Sequence, residues 1–347
     1  MTSDLPAIPS RTNIALSLLR LARPKQWAKG VFVVLGPLYA LADEKNVDWA
    51  GTGLAFLAFG LASSGCYIVN DLRDRDLDRQ HPRKKHRPIA SGAVSPGAAR
   101  LFAAALLAAA MLVALLVAFA PWNWAPVAAP PAGEQGSAAG HADRLFPLGP
   151  WVPLFVGGYI ANVVAYSMAF KRVVMLDVIS LASGFVLRVL GGCAAGGVEP
   201  STWLLNCTFF VSMFLAFSKR LGERRSLGDH AASARGVLGV YTDDLLRMAV
   251  VVTAVASLIT YAGYVQARDD LFRVLEDVTS SGPATWGFNL LWPTMIPATF
   301  ALLRCIVMVE RGRFDDPTEL AFRDRGFQLA IGIFAAWTLG AMLAAQR

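Results

Sequence analysis

Residues 50–78 read AGTGLAFLAFGLASSGCYIVNDLRDRDLD, an apolar run of about 20 residues that ends in four closely spaced aspartates. A helix needs about 20 mostly apolar residues to cross the hydrocarbon core of a bilayer. The stretch therefore predicts a membrane-spanning helix with an acidic group at one end. It indicates both the class of protein and the place of its chemistry.

The rest of the chain has the same character. Apolar residues make up 55% of the 347 positions, charged residues only 16%, and the mean hydropathy is +0.47, whereas a soluble domain carries roughly 25% charge. Nine segments have the length and composition of spans: 28–42, 50–70, 98–120, 150–168, 175–197, 201–218, 247–266, 287–309 and 327–345. The first is short and is expected to continue a helix from Asn13 that Pro24 interrupts. The prediction is an all-α, polytopic membrane bundle.

Lysine and arginine in the connections predict the orientation of these spans. One side carries 23 of them and the other side 5, and the richer side is expected to be cytoplasmic. The sequence thus predicts an inner-membrane protein with a cytoplasmic N-terminus, in which residues 1–347 form one transmembrane catalytic domain. Residues 1–12 are polar without a signal-peptide pattern and are expected to be a flexible N-terminus, and residues 121–149 an extracytoplasmic loop insert.

Several function classes conflict with the pattern. The four cysteines lie in apolar segments and the four histidines are scattered, which disfavours a disulfide framework and a zinc site. The basic residues are spread over five loops among acidic ones, which is typical of membrane topology rather than of a nucleic-acid surface. A transporter is a further alternative, but it would place its charges deep and in pairs, often on broken, repeated helices.

The aspartates at the end of the second span are spaced for a common face. Asp71, Asp74 and Asp78 stand at i, i+3 and i+7, so on a continuous helix their carboxylates would share one side. Three such oxygen ligands suit Mg²⁺, which prefers carboxylates together with substrate phosphates. Asp76 would point away, and Asn70 would lie beside the face. The alternative is a solvated juxtamembrane turn of Asp–Arg ion pairs.

The pattern Asn70-Asp71-x-x-Asp74-x-x-x-Asp78 resembles the first aspartate motif of the UbiA-type intramembrane prenyltransferase superfamily. That resemblance implies a nine-helix bundle with an active-site cavity on its cytoplasmic side. Members that use prenyl diphosphates usually have a second DxxxD motif. Here the equivalent end of the sixth span reads SKRLGERR over residues 218–225, which is basic with a single glutamate.

A site with one acidic and one basic face suits a donor with a metal-bound diphosphate and a further, metal-free phosphate. Further segments resemble the decaprenyl-phosphate phosphoribosyltransferase branch of the superfamily: Arg23-Pro-Lys25-Gln-Trp27-Ala-Lys29, Tyr67-Ile-Val-Asn70-Asp71, His81-Pro-x-Lys84-x-x-Arg87-Pro88-Ile89-Ala90-x-Gly92, Tyr166-Ser167-x-x-x-Lys171, Leu176-Asp177-Val178, Gly184-Phe-Val-Leu-Arg188, Lys219-Arg220-x-x-Glu223 and Arg323-Asp324-Arg325. This resemblance implies Mg²⁺-dependent transfer of 5-phosphoribose from phosphoribosyl pyrophosphate to a polyprenyl phosphate, with release of pyrophosphate. The alternative enzyme transfers a prenyl group from a prenyl diphosphate to a small acceptor.

The resemblance also assigns roles to individual residues. Asp71, Asp74, Asp78 and Lys219 are expected to be catalytic, with the three aspartates as metal ligands. Substrate-binding roles are expected for a larger set of polar residues: Lys25, Lys29, Asn70, Arg87, Tyr166, Lys171, Asp177, Arg188, Lys219, Arg220 and Glu223. The expected partners are phosphoribosyl pyrophosphate, the polyprenyl phosphate and membrane lipid, with no nucleic acid, and homo-oligomer formation is left open.

Bland alternatives stand beside three of these assignments. Lys25 and Lys29 are four residues apart and would share one α-helical face, but they would also serve as membrane anchors. Lys219 and Glu223 have the spacing of a helix ion pair. Asp177 and Arg188 would share a face of the fifth span, either as a structural relay or in contact with substrate.

Overall fold

The computed structural model describes residues 14–41, 46–80, 84–120, 148–227, 236–274, 287–312 and 323–345. The α-helices are α1 Ile14–Ala22, α2 Val31–Ala40, α3 Trp49–Arg73, α4 Arg75–Gln80, α5 Pro96–Phe119, α6 Trp151–Met168, α7 Leu176–Gly196, α8 Thr202–Leu227, α9 Gly236–Val240, α10 Asp243–Ala267, α11 Asp269–Phe272, α12 Met295–Glu310 and α13 Arg325–Ala345. The 3₁₀ helices are Pro24–Gly30, Lys84–His86, Phe170–Arg172 and Trp292–Thr294. Two short strands, β1 Arg273–Val274 and β2 Phe288–Asn289, pair antiparallel.

Eight helices of the described chain are long and apolar enough to cross a membrane: α3, α5, α6, α7, α8, α10, α12 with its preceding 3₁₀ turn, and α13. They coincide with eight of the nine predicted spans, so the prediction of an all-α, polytopic fold is confirmed. The predicted flexible residues 1–12 and nearly all of the predicted 121–149 insert lie outside the described residues.

The first predicted span is a broken segment. Helix α1 ends at Ala22, a 3₁₀ helix covers Pro24–Gly30, and α2 adds 10 residues. Placed end to end, the 3₁₀ helix and α2 reach about 29 Å, close to the thickness of the hydrocarbon core. The predicted interruption at Pro24 is therefore present, and the segment crosses the bundle as two short helices.

Helices α3 and α7 form the centre of the bundle because their packing faces consist of small residues. Gly191 of α7 lies against the ring of Phe59 in α3, and Gly192 lies against the backbone of Val33 in α2. Small side chains let helices approach closely in a membrane, where van der Waals packing drives their association. Outer helices such as α5 instead expose large apolar side chains, including Leu101 and Phe119, as a lipid-facing helix does.

Two junctions beside the acidic motif have unusual backbone geometry. Arg23 and Met175 are the non-glycine residues of the described chain with positive φ, at 51° and 66°. This conformation costs a side-chain-bearing residue roughly 1–2 kcal/mol. Each residue makes a contact that holds it there: the Arg23 side chain binds Asp71, and the Met175 N–H donates to Tyr241.

Candidate active site

The acidic motif lies where α3 ends. Asp71 is in the last turn of α3, Asp74 is its C-cap residue, and Asp78 lies in the short α4 that follows. Asp71 and Asp78 are 2% and 4% exposed, so each needs a partner for its charge.

Basic side chains from three other segments supply these partners. Arg23 Nη2 donates to both oxygens of Asp71, at 2.7 and 2.6 Å. Arg87 Nη1 bridges the other two contacts, at 3.0 Å from Asp71 Oδ1 and 2.7 Å from Asp78 Oδ2. Lys171 Nζ lies 2.6 Å from Asp74 Oδ1. The acidic motif is thus neutralised from within the chain.

The geometry fits a magnesium ion in part. Asp71 and Asp78 converge on one positively charged nitrogen, and two carboxylates around one cation are a donor set that Mg²⁺ accepts. Asp74 faces Lys171 instead, and within the described ranges no group of three or more His, Cys, Asp or Glu residues is arranged to hold a metal. Asp74 would join the other two only after releasing Lys171.

The expectation of one continuous acidic face is therefore wrong. Helix α3 ends at Arg73, and Asp74 has φ −88° and ψ 5°, outside the helical conformation. The break turns Asp74 toward the α6–α7 connection while Asp71 and Asp78 stay together. The i, i+3, i+7 spacing holds only on an unbroken helix.

The basic motif of α8 is built around Arg220, which is buried. Its Nε donates to Asp177 Oδ2 at 2.9 Å, its Nη1 to Glu223 Oε2 at 2.9 Å and its Nη2 to the hydroxyl of Tyr166 at 3.3 Å. The guanidinium is thus committed to internal contacts that fix Glu223 and Tyr166 in place. Lys219 precedes it and is half-buried.

Asp177 is completely buried beneath this motif. Its second oxygen accepts a 2.7 Å hydrogen bond from the Tyr241 hydroxyl, and burial, followed by that bond, raises the pKa of Tyr241. Both carboxylate oxygens are therefore engaged inside the protein. We reassign Asp177 from substrate contact to positioning of Arg220.

The predicted relation between Asp177 and Arg188 is absent. Arg188 is 3% exposed and donates to the Tyr159 hydroxyl at 2.7 Å, with its guanidinium carbon 4.6 Å from the ring centre of Tyr159 and 6.0 Å from that of Phe59. A structural Asp–Arg relay does cross between helices, but it joins Asp177 to Arg220. The two residues share a wheel sector, yet eleven residues separate them by about 16 Å along the axis.

The predicted common face of Lys25 and Lys29 is also wrong. They lie in the 3₁₀ helix Pro24–Gly30, where three residues make one turn, so residues four apart point about 120° away from each other. Lys25 is exposed, whereas Lys29 is half-buried and donates to the Tyr67 hydroxyl at 3.3 Å. Asn70, half-buried, sits one turn beyond Tyr67 on α3.

Three residues of the site were missed by sequence reasoning. Arg23 was treated as a loop charge, although the proline after it predicts the helix end that turns it toward Asp71. Tyr67 lies among basic side chains, with Arg23 5.1 Å above its ring and Arg188 and Lys219 within electrostatic range. For Tyr241, no local pattern indicates a partner 64 residues away.

An apolar cavity of about 400 Å³ lies between α2, α8, α10, α12 and α13. Four of its lining residues, Leu204, Thr208, Val211 and Leu215, form a stripe on α8 that continues to Lys219 within about 80° of the helix circumference. On α2, the lining residue Phe32 follows Lys29 by three positions. The two lysines thus stand just beyond one end of the cavity.

Comparison with known proteins places these features in context. The profile of the UbiA prenyltransferase family matches residues 30–131. The decaprenyl-phosphate phosphoribosyltransferase of Mycolicibacterium smegmatis is 30% identical over 95% of this chain and 93% of its own. The enzyme of the same name from Mycobacterium tuberculosis is 29% identical over 99% of both chains.

The fold has a solved counterpart. A UbiA homologue from Archaeoglobus fulgidus, determined with GPP and Mg²⁺ bound, superposes with a TM-score of 0.61 over 94% of this chain and 99% of its own, at 18% identity. At that identity the similarity establishes the architecture, and the chemistry must be argued from the residues of this chain.

Proposed function

Because the chain belongs to the UbiA prenyltransferase family and is thus a multi-pass membrane transferase, we propose that it transfers 5-phosphoribose from phosphoribosyl pyrophosphate to a polyprenyl phosphate. The observation that carries the proposal is the full-length similarity to two decaprenyl-phosphate phosphoribosyltransferases. The site's unequal halves support it: aspartates at the end of α3, and a basic motif on α8 where a second acidic motif would serve a prenyl diphosphate.

The acidic half would hold the diphosphate of the donor. Asp71 and Asp78 would hold a magnesium ion, with Asp74 joining them, and when bound the ion supplies Lewis-acid neutralisation of the leaving pyrophosphate. Arg23, Arg87 and Lys171 already lie within hydrogen-bond distance of these carboxylates. Once released from the aspartates, their charges are placed to bind the phosphate oxygens.

The bond changes in this reaction are simple. The bond between C1 of ribose and the diphosphate oxygen breaks, and an oxygen of the lipid phosphate forms the new bond to C1. The attacking phosphate is ionised at neutral pH, so the protein needs to orient it rather than remove a proton from it. Lys219 and Lys29 stand where they would hold that phosphate and complement the charge of the transition state.

The apolar cavity supports a lipid acceptor. Its walls are aliphatic and aromatic side chains, and its α8 stripe ends one turn before Lys219. A polyprenyl tail in the cavity would therefore bring its phosphate to the two lysines. Such a tail could enter directly from the bilayer, which explains why the chemistry resides in a membrane fold.

A donor screen with purified protein in nanodiscs tests the proposal. Phosphoribosyl pyrophosphate or an allylic prenyl diphosphate is supplied with Mg²⁺ and polyprenyl phosphate or a small aromatic acceptor, and pyrophosphate release is measured. We expect release only with phosphoribosyl pyrophosphate and the lipid phosphate. Asp74→Asn should keep the fold and lose Mg²⁺-dependent turnover. Release that requires the allylic donor and ignores phosphoribosyl pyrophosphate would instead identify a prenyltransferase.

A further inference from the structure

Arg188 is a buried cation in a membrane-spanning helix without an anionic partner. Among the residues that the structure describes, its contacts are the Tyr159 hydroxyl and the faces of two aromatic rings, all of them uncharged. A guanidinium has five N–H donors, and one of them is used. A charge at this depth is costly, and in membrane proteins such residues face the interior and bind something there.

The helix opposite Arg188 presents polar groups toward the acidic motif. Phe59, Ser63, Tyr67 and Asn70 of α3 fall within about 80° of the helix circumference. The ring of Phe59 lies beneath the Arg188 guanidinium, at the lower end of this stripe. Ser63, one turn above Phe59, has a buried hydroxyl with no hydrogen-bond partner in the described chain, which is a second sign of an absent ligand.

Positive charge surrounds the upper part of the same stripe. Lys29 donates to the Tyr67 hydroxyl, and Lys219, Arg23 and Arg188 all act on that hydroxyl electrostatically. Arg23 is bound to Asp71, but Arg188 contributes an uncompensated charge. The local surplus of positive charge calls for an anion, and the metal-binding aspartates lie one to three turns away toward the end of α3.

We infer that Arg188, oriented by Tyr159, binds a metal-free phosphate monoester together with Ser63 and Tyr67. This inference rests on the proposed function only for the source of the phosphate. The donor's 5-phosphate and the acceptor's lipid phosphate share the required chemistry. The donor is favoured because Arg188 lies between α3, α6 and α7, whereas the apolar cavity lies between α2, α8, α10, α12 and α13.

Binding measurements without metal test the subsite. Full-length protein in nanodiscs is titrated in EDTA with ribose 5-phosphate and, separately, with a short-chain polyprenyl phosphate. For Arg188→Gln we expect at least a tenfold loss of ribose 5-phosphate affinity. Arg100→Gln removes an exposed arginine from the outer surface of α5 and should change the affinity less than twofold.

Each outcome decides the question. A selective loss of ribose 5-phosphate binding supports the subsite with the donor as its source, and a selective loss of polyprenyl phosphate binding supports it with the acceptor. No loss in either titration, or no binding by the wild-type protein, overturns the inference and leaves Arg188 as a packing residue. These titrations contain no diphosphate and no turnover, so their failure is separate from failure of the donor screen.

A second variant covers the case in which Arg188→Gln does not fold. Tyr159→Phe keeps the ring and removes the only hydroxyl that orients the guanidinium. We expect a smaller loss of ribose 5-phosphate affinity, about threefold, with an unchanged melting temperature for the metal-free protein. If Arg188→Gln does not fold, unchanged affinity in Tyr159→Phe for both ligands overturns the inference.

Discussion

At Arg87, one guanidinium nitrogen serves two buried aspartates that would otherwise repel each other. Replacing Arg87 with Met leaves Asp71 and Asp78 adjacent with only Arg23 to compensate them, an arrangement that favours a divalent cation. We expect the substrate-free variant to bind Mn²⁺, a spectroscopic substitute for Mg²⁺, about tenfold more tightly, equivalent to about 1.4 kcal/mol. Electron paramagnetic resonance of free and bound Mn²⁺ measures this directly.

The matched control for Arg87 is Arg75→Met. Arg75 pairs with the exposed Asp76, and exposed pairs contribute little, so its loss should leave Mn²⁺ affinity unchanged. Equal Mn²⁺ affinity in wild type and Arg87→Met would show that Arg87 does not occupy the position of the metal.

Tyr241 locks the basic motif from below. Tyr241→Phe removes the hydroxyl that donates to Asp177 and accepts from the Met175 N–H, which leaves buried polar groups unsatisfied at about 1–3 kcal/mol. We expect a lower melting temperature and a several-fold higher KM for the phosphate donor, because Arg220 and Glu223 lose their support.

Thr242→Ala separates these two effects. Thr242 caps α10 through its side chain, and loss of such a cap costs about 1 kcal/mol without touching Asp177. It should lower the melting temperature and leave KM unchanged. If the KM of Tyr241→Phe also stays at the wild-type value, Tyr241 has a purely structural role.

Sequence reasoning works best for residues whose neighbours along the chain share their task. Asp71 and Asp78 belong to one motif, and the structure brings their carboxylates to one nitrogen. Arg23 and Tyr241 escaped notice because each acts through a partner 48 or 64 residues away. A single sequence carries no signal for such pairs beyond the helix-ending proline next to Arg23.

Among the helices, the contact between α2 and α7 is the tightest to test. A methyl group on Gly192 would lie 1.8 Å from the carbonyl oxygen of Val33, so Gly192→Ala must displace α2. Overpacking of this kind costs about 1–3 kcal/mol, and we expect a clearly lower melting temperature in detergent. Since α2 follows the segment that carries Arg23 and Lys29, activity should fall as well.

Gly53→Ala is the matched control in α3. A methyl group there meets no atom within 4 Å, and alanine is the better helix former by about 1 kcal/mol. This variant should be as stable as the wild type or more so. A melting temperature of Gly192→Ala equal to that of Gly53→Ala would mean that α2 and α7 are not in close contact.

The broken first segment shows where element-level prediction stops. The proline at position 24 predicts an interruption, and the interruption is there. The sequence did not indicate that the next seven residues wind as a 3₁₀ helix, which separates Lys25 from Lys29. Similarly, the aspartate spacing was interpreted on an unbroken helix, and a break at Asp74 redirects one of its three side chains.

Across the whole molecule, the apolar cavity should measure the length of the acceptor. Val211→Trp places a large ring in the cavity beside the α8 stripe. We expect the KM for a long polyprenyl phosphate to rise about tenfold, equivalent to about 1.4 kcal/mol, while a two-isoprene phosphate is affected less than twofold. Steady-state kinetics with acceptors of graded length provide the measurement.

Val251→Trp is the control for the cavity variant. Val251 belongs to α10 and is 51% exposed on its outer surface, where a tryptophan would project away from the bundle. Its kinetic constants should match the wild type for every chain length. If Val211→Trp affects long and short acceptors equally, the tail lies elsewhere.

At this scale, hydropathy alone predicted much of the architecture. Long apolar runs must become helices in a bilayer because every backbone polar group needs an internal partner, so eight spans could be placed from composition. Which helices touch depends on shape, for example on Gly191 meeting the ring of Phe59. Composition carries little of that information, and therefore neither the cavity nor the surroundings of Arg188 could be foreseen.

The ion pairs of the resting acidic motif have a consequence for turnover. Because Arg23, Arg87 and Lys171 already hold the aspartates, the arrival of a magnesium-bound diphosphate exchanges one set of partners for another. The net gain is the difference between two similar sums, so the empty protein competes with its own product for these charges. Such competition keeps pyrophosphate from lingering after each transfer and readies the motif for the next donor.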